Sequence, residues 1–226
     1  MELIKLKKIK KSSKQTHIYK DGNNYFEQIG TTIVNINSQI PYAIPDNWRW
    51  ERMGNIGDWG AGTTPAKSNA SYYGGNILWL RTGELNNNIV TDTEIKITEK
   101  ALKECSLRIN SPGDILIAMY GATIGKVAIA GVPLTTNQAC CACTPFLIDN
   151  KYLFYYLMSS KTEFIKKGEG GAQPNISKEK LVNFFIPIPP LKEQKRIVNK
   201  IEEIFLLLES IESSLTKISD YLLPNS

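Results

Sequence analysis

The side chains that could carry chemistry in this chain are few, and their spacing argues against most familiar reactions. The single histidine, His17, sits in a lysine-rich N-terminal segment, which leaves acid–base or triad chemistry built on histidine without support. The four cysteines are Cys105, Cys140, Cys141 and Cys143, three of them crowded between Ala139 and Thr144 with no C-x-x-C pair and no nearby histidine. Neighbouring residues of a strand point to opposite faces, so these thiols cannot converge on one metal. They read instead as small buried residues of a reduced protein. Gly121-x-x-x-Gly125-Lys126-Val127 invites comparison with a phosphate loop, but it is one residue short between the glycines. Val127 also stands where the metal-binding Ser or Thr belongs. Gly60-Ala61-Gly62 lacks the third glycine of a dinucleotide site. Both read as turns. A nuclease scheme can be forced from Asp46 with Glu94-x-Lys96, or from Asp114 with Glu179 and no second acid on a strand, at poor spacing. A base-flipping methyltransferase would want Asn or Asp before Pro-Pro-aromatic, and Pro189-Pro190 lies between Ile188 and Leu191.

What the sequence does offer is hydrogen-bonding capacity where strands end. Lys67, Ser68 and Asn69 form one group; Arg81, Thr82, Asn86, Asn87 and Asn88 a second; Lys126 stands alone; Gln173, Asn175 and Lys178 form the last. Asn and Gln can read adenine edges bidentately, Arg can read guanine, and Lys and Ser hold phosphates. Loops collect such residues in any protein, so this alone favours DNA only weakly.

The elements that must position these groups can be read from the hydrophobic pattern. Residues 1–40 form a basic lead-in, either a weakly ordered arm or the remnant of a helix and linker, with a turn at Asp21-Gly22-Asn23-Asn24. Residues 1–20 hold seven lysines against Glu2 alone, a net +6; of 27 basic and 22 acidic residues this leaves 20 against 21, or −1, for the rest. Any nucleic-acid face on the body must therefore be a local patch. The globular part, 41–189, opens with Trp48 and Trp50 on one face of an extended segment. Strands follow at Ile77–Leu80, Ile115–Tyr120 and Val127–Ile129, with another starting at Asn137. A short helix is expected around Glu94 to Cys105. Tyr152, Leu153, Tyr156, Leu157, Ser160 and Phe164 share a second helical face, capped by Asp149 or Asn150. Phe184 to Pro189 reads as a strand whose prolines suit a sheet edge. The expected class is α+β (mixed α/β), a domain of short twisted strands with a few helices, ahead of a long C-terminal helix.

That helix, 190–223, carries an unbroken heptad seam: Ile197, Ile201, Ile204, Leu208, Ile211, Leu215, Ile218 and Leu222. About thirty residues at 1.5 Å each make a rod of roughly 45 Å. A seam this narrow over about four heptads is more than a helix folded back on its own domain needs, and it favours a two-helix coiled coil with a partner. Phe205, Leu206 and Leu207 widen the seam and imply a third packed surface.

Several stretches, taken in order, carry a resemblance. They are Ile44-Pro45-x-x-Trp48-x-Trp50, Gly62-x-Thr64-Pro65, Tyr73-Gly74-Gly75-x-Ile77-x-Trp79 and Gly113-Asp114-Ile115-Leu116. Tyr120-Gly121-Ala122-Thr123-Ile124-Gly125-Lys126, Asn137-Gln138-Ala139, Gln173-Pro174-Asn175-Ile176 and Pro187-x-Pro189-Pro190-Leu191-x-Glu193-Gln194 follow. The series resembles the specificity (S) subunit of Type I restriction-modification enzymes over about Pro41 to Leu223. The resemblance implies a non-catalytic subunit whose target-recognition domain (41–189) reads one half of a bipartite double-stranded DNA sequence. Its long helix would be spacer and dock for methyltransferase (M) subunits. No cofactor is implied in this chain: S-adenosylmethionine, ATP and Mg would belong to the M and restriction (R) subunits. The family's usual subunit has two recognition domains and two long helices, whereas this chain has one of each. The expectation is that it pairs through Ile197–Leu222, with a second copy or another half-subunit, to rebuild that architecture around a palindromic target.

Two other accounts compete with this one, a coiled-coil adaptor whose mixed domain binds protein and a self-sufficient nuclease. No apolar run reaches membrane-spanning length and no signal-peptide pattern is present, which makes the cytoplasm the default location.

Overall fold

The structure, a computed structural model, describes residues 16–146, 148–168 and 175–222, with side chains as far as residue 218. It begins with an antiparallel meander of β1 (Thr16–Asp21), β2 (Asn24–Ile29) and β3 (Thr32–Asn35). This corrects the reading of the lead-in, since residues 16–35 are neither a loose arm nor a helix remnant. Both hairpins close in two residues, with Gly22 at φ +57° and Gly30 at φ +62°, the left-handed geometry such turns demand. Ile18 and Ile36 pack on Trp50 and Phe185. Arg52 meets Glu27 at 2.6 Å, and Asn55 Nδ2 donates to the Thr16 carbonyl at 3.0 Å. The meander is thus bolted to β4 (Arg49–Arg52).

The body is organised on a five-stranded sheet. After β5 (Gly57–Ala61) come β6 (Tyr73–Leu80), β7 (Asn88–Val90), β8 (Lys96–Ile97), α1 (Glu99–Glu104), β9 (Ile115–Ala118), β10 (Val127–Ala130), β11 (Thr135–Thr136) and β12 (Cys140–Pro145). The sheet order is β5-β12-β9-β10-β7, antiparallel except for β10 beside β7. All four residues of β9 and of β10, and Cys140–Cys143 of β12, are buried, the pattern of strands covered on both faces. Alternation divides them between two cores. Ile115, Ile117, Val127, Ile129, Cys141 and Cys143 join one, while Leu116, Ala118, Ala128, Ala130, Cys140 and Ala142 join the other with Leu80, Leu85 and Val90. The clustered thiols therefore face opposite ways, and burial raises all three, Cys141 to about 12. The helix expected from Glu94 is shorter: Thr98 caps it through Ala101 N, and Lys96–Ile97 pair with β6 instead.

The helical face expected over 152–164 is two helices, α2 (Asn150–Ser159) and α3 (Lys161–Lys167), broken at Ser160. Asp149 caps α2, accepting from Tyr152 N at 3.1 Å. After α4 (Lys178–Val182), β13 (Phe185–Ile188) pairs, among the described residues, with β4 alone, so Pro187 sits on a two-stranded edge where a missing donor costs nothing.

Next comes α5 (Leu191–Leu222), roughly 48 Å at 1.5 Å per residue. Buried Gln194 anchors its root by accepting from Asp149 N and donating to the Pro189 carbonyl, both at 2.8 Å. Val198, which is off the seam, is the most buried apolar residue of this root; Ile197 packs half-buried on the first core, and Lys151 pairs with Glu202 at 2.7 Å. Beyond that the helix leaves the body. Ile204, Leu208, Ile211, Leu215 and Ile218 are between 45% and 61% exposed, with Leu206 and Leu207 bare beside them. The seam's early members are thus partly spent on their own domain, its later ones are open, and the Leu222 side chain lies outside the described residues.

Candidate nucleic-acid interface

Strand directions place five chain ends on one edge of the central sheet. The C-termini of β5 and β9 and the N-termini of β12, β10 and β7 all emerge there. Backbone bonds stitch their loops into a rim: Gly62 N to Cys140 O at 2.9 Å, Met119 N to Ala139 O at 2.8 Å, and Asn87 N to Val127 O at 2.9 Å. A second segment crosses this rim, where Asn175 bridges Tyr120 and Ile176 N donates to the Met119 carbonyl at 3.0 Å. That crossing delivers Lys178, first residue of α4 and capped by Ser177, to the same edge.

Of the residues singled out in sequence, Asn86, Asn87, Asn88, Lys126, Asn175 and Lys178 come together on this rim. Lys126 Nζ donates to Asn86 Oδ1 at 3.4 Å, so the second and third groups meet across forty residues. Their roles differ. Asn87 holds φ +55° and both donates to and accepts from the Val127 backbone, prolonging the β7–β10 pairing. Asn88 turns its Oδ1 back to Asn86 N at 3.3 Å. Arg81 and Thr82 begin the turn that leads into the rim, but the Arg81 guanidinium lies between Glu84, at 3.7 Å, and Glu94, to which it hydrogen-bonds.

Lys67, Ser68 and Asn69 lie on a separate turn ahead of β6, where Asn69 Oδ1 accepts from Ser71 N at 3.1 Å and Ser71 Oγ at 2.7 Å. Gln173 lies outside the described residues. The acids of the nuclease scheme are also apart and occupied, Glu94 by Arg81 and Asp46 by Lys20 at 3.1 Å. Among the described residues no three His, Cys, Asp or Glu side chains gather as a metal-holding group, and no helix is long and apolar enough to cross a membrane.

The rim also holds residues that the loop reading passed over. Tyr120, 37% exposed, stands at the β9–β10 turn. Gln138 is exposed at the foot of β12, its N–H directed at Thr64 Oγ1 at 3.4 Å. Exposed Lys161 arrives from the start of α3, because Gly125 leaves room for it: a Cβ there would stand 2.8 Å from Lys161 Cγ. Tyr120 and Gln138 stand within the motifs that carry the resemblance to S subunits, and nothing local in the sequence marks Lys161.

A mixed domain whose loops converge on one polar, basic rim, set ahead of a projecting helix, defines the class. Residues 45–219 match the Type I restriction modification DNA specificity domain, and the chain belongs to that family. It is 38% identical over 174 residues to the Type I restriction enzyme MjaIX specificity subunit of Methanocaldococcus jannaschii, a match covering 74% of this chain and 40% of that one. A Type I restriction enzyme specificity subunit from Escherichia coli is 31% identical over 175 residues, covering 74% and 43%. The crystal structure of the HsdS subunit from Thermoanaerobacter tengcongensis superposes with a TM-score of 0.61 at 27% identity, over 77% of this chain and 41% of that one. The chain spans about two-fifths of the length of these relatives.

Proposed function

We propose that this chain is a non-catalytic reader of one half of a bipartite double-stranded DNA target. The convergence of Asn86, Lys126, Asn175 and Lys178 on one rim, from segments far apart in sequence, carries the proposal. Amides there suit base edges and lysines suit phosphates. Residues 41–189 serve as the recognition domain and 190–223 as spacer and dock. M and R subunits are the partners, and S-adenosylmethionine, ATP and Mg act on them rather than here.

A second copy, or another half-subunit, covers the open seam of α5 in antiparallel fashion. Charge supports that direction. Residues 191–203 hold four basic and three acidic side chains, a net +1, while 204–222 hold one basic and three acidic, a net −2. Antiparallel pairing sets unlike halves together, where parallel pairing would set like on like. Two rims held apart by a rod longer than one DNA turn, about 34–36 Å, fit a target with a fixed unspecified gap.

The test is selection of duplexes from a random-sequence library by the full chain, alone and with its methyltransferase subunit. The expected result is an enriched split motif whose binding falls steeply with salt. Binding to protein with no DNA selected would favour the adaptor account instead.

A further inference from the structure

Three cations lie along the rim, and the proposed reading uses only two of them, Lys126 and Lys178. Lys126 stands at the N-terminus of β10, Lys161 is seated on Gly125 just before it, and Lys178 begins α4 beyond the Asn175–Tyr120 bridge. Their elements are unrelated in sequence. Lys161 comes from α3, which packs at the end of α2, and Lys178 from α4, which packs against β5 at the far side of the sheet. Among the described residues none of the three has a carboxylate within ion-pair distance, whereas nearby Lys166 is neutralised by Glu163 at 2.9 Å and Lys151 by Glu202 at 2.7 Å.

The placement of Lys161 depends on backbone geometry. Gly125 has φ +74°, and an added Cβ would crowd Lys161 Cγ at 2.8 Å and its Cα at 3.2 Å. A bare backbone at this point lets the start of α3 rest on the β9–β10 turn, and so brings Lys161 to the turn that carries Lys126. Strands of a sheet are about 4.8 Å apart, so elements spread from β10 to β5, three strand spacings, cover the length of a few successive phosphates along one DNA strand.

Resting on the DNA-reading assignment above, we propose that Lys161 and Lys178 form with Lys126 a phosphate-holding row that fixes the duplex on the rim without contributing to the choice of bases. Lysine is a point charge with freely rotating donors, suited to phosphate oxygens and poorly suited to discriminating base edges. The labour of the rim then divides: the row positions the duplex, and Asn86 with its neighbours reads it.

The experiment uses the full chain with two probes, the duplex it enriches from a random library and a scrambled duplex of equal length. Affinity is measured across salt for wild type, Lys161→Gln, Lys178→Gln and the charge-keeping Lys161→Arg. Each neutral variant should lower the slope of log K against log salt by about 0.9, on both duplexes alike. The affinity lost between about 50 and 200 mM salt then shrinks about 3.5-fold per lysine removed. Lys161→Arg should keep the wild-type slope, and every variant should enrich the wild-type motif. Unchanged slopes in the neutral variants, with the wild-type motif intact, overturn the row and leave the reader standing. A changed motif in Lys161→Gln overturns it too, by making Lys161 a base reader. Absence of any sequence preference in the wild type removes the reader and the row together.

Discussion

Replacing Arg52 by Leu tests how the meander is held to the domain. Arg52 is 16% exposed and Glu27 5%, and they meet through two hydrogen bonds at 3.0 and 2.6 Å. Arg52 also donates to the Asn183 carbonyl at 2.6 Å and lies 3.8 Å from the centroid of the Phe185 ring. Leucine would restore apolar contact with that ring but strand a buried carboxylate. Breaking a buried pair from one side costs about 3–5 kcal/mol, against a total stability of about 5–15 kcal/mol for a domain.

The pH dependence identifies the cause. Hydrogen bonds from Arg52 hold the Glu27 carboxyl below the usual range. In the wild type that stabilisation is present above the unfolded value, about 4.3, and fades as pH falls through the folded one. In Arg52→Leu burial is opposed only by the hydrogen bond from Thr16, so the folded value rises and the charged form is penalised. Acidification through about pH 4 should therefore close most of the gap between the two proteins. The assay is urea denaturation followed by tryptophan fluorescence, with Trp50 beside the pair as reporter. The double variant Glu27→Leu/Arg52→Leu should recover much of the loss. A deficit under about 1 kcal/mol at neutral pH, or one that acid leaves unchanged, refutes the reasoning. The outcome bears on function because Arg52 faces Phe185 across the β4–β13 pair, which runs directly into α5.

Three further outcomes are expected. Asn87→Val should cost about 1–2 kcal/mol in thermal denaturation, from forcing a β-branched residue to φ +55°, while Asn87→Gly is tolerated and neither changes the DNA sequence enriched. Arg81→Ala should cost up to about 1 kcal/mol by releasing Glu84 and Glu94 and should leave base choice unaltered. Leu208→Asp should weaken pairing through α5 on the order of a hundredfold or more, since two half-exposed leucines lose their burial, while leaving the circular dichroism spectrum in place; sedimentation at micromolar concentration reads it.

The sequence by itself determined the broad outline of this protein. Continuous apolar runs at Ile115–Ala118 and Val127–Ala130 specified strands buried on both faces, and spacings of three and four from Ile197 onward specified a rod with an apolar edge. The Asp149 cap and the edge prolines of β13 were legible for the same reason, because each depends on neighbours within a few residues. The tertiary structure decided which polar residues share a surface. Asn86 reaches Lys126 only through the parallel pairing of β7 with β10, and Lys161 reaches the same edge only through Gly125. It also gave Arg81 and Asn87, equal to their neighbours as letters, partners within the fold. It made residues 16–35 of the supposed lead-in a sheet, held by Trp50 and Arg52 more than twenty residues onward. Periodicity records how one element meets apolar surroundings, whereas a site depends on strand order and side-chain partners distant along the chain, and no local pattern encodes those.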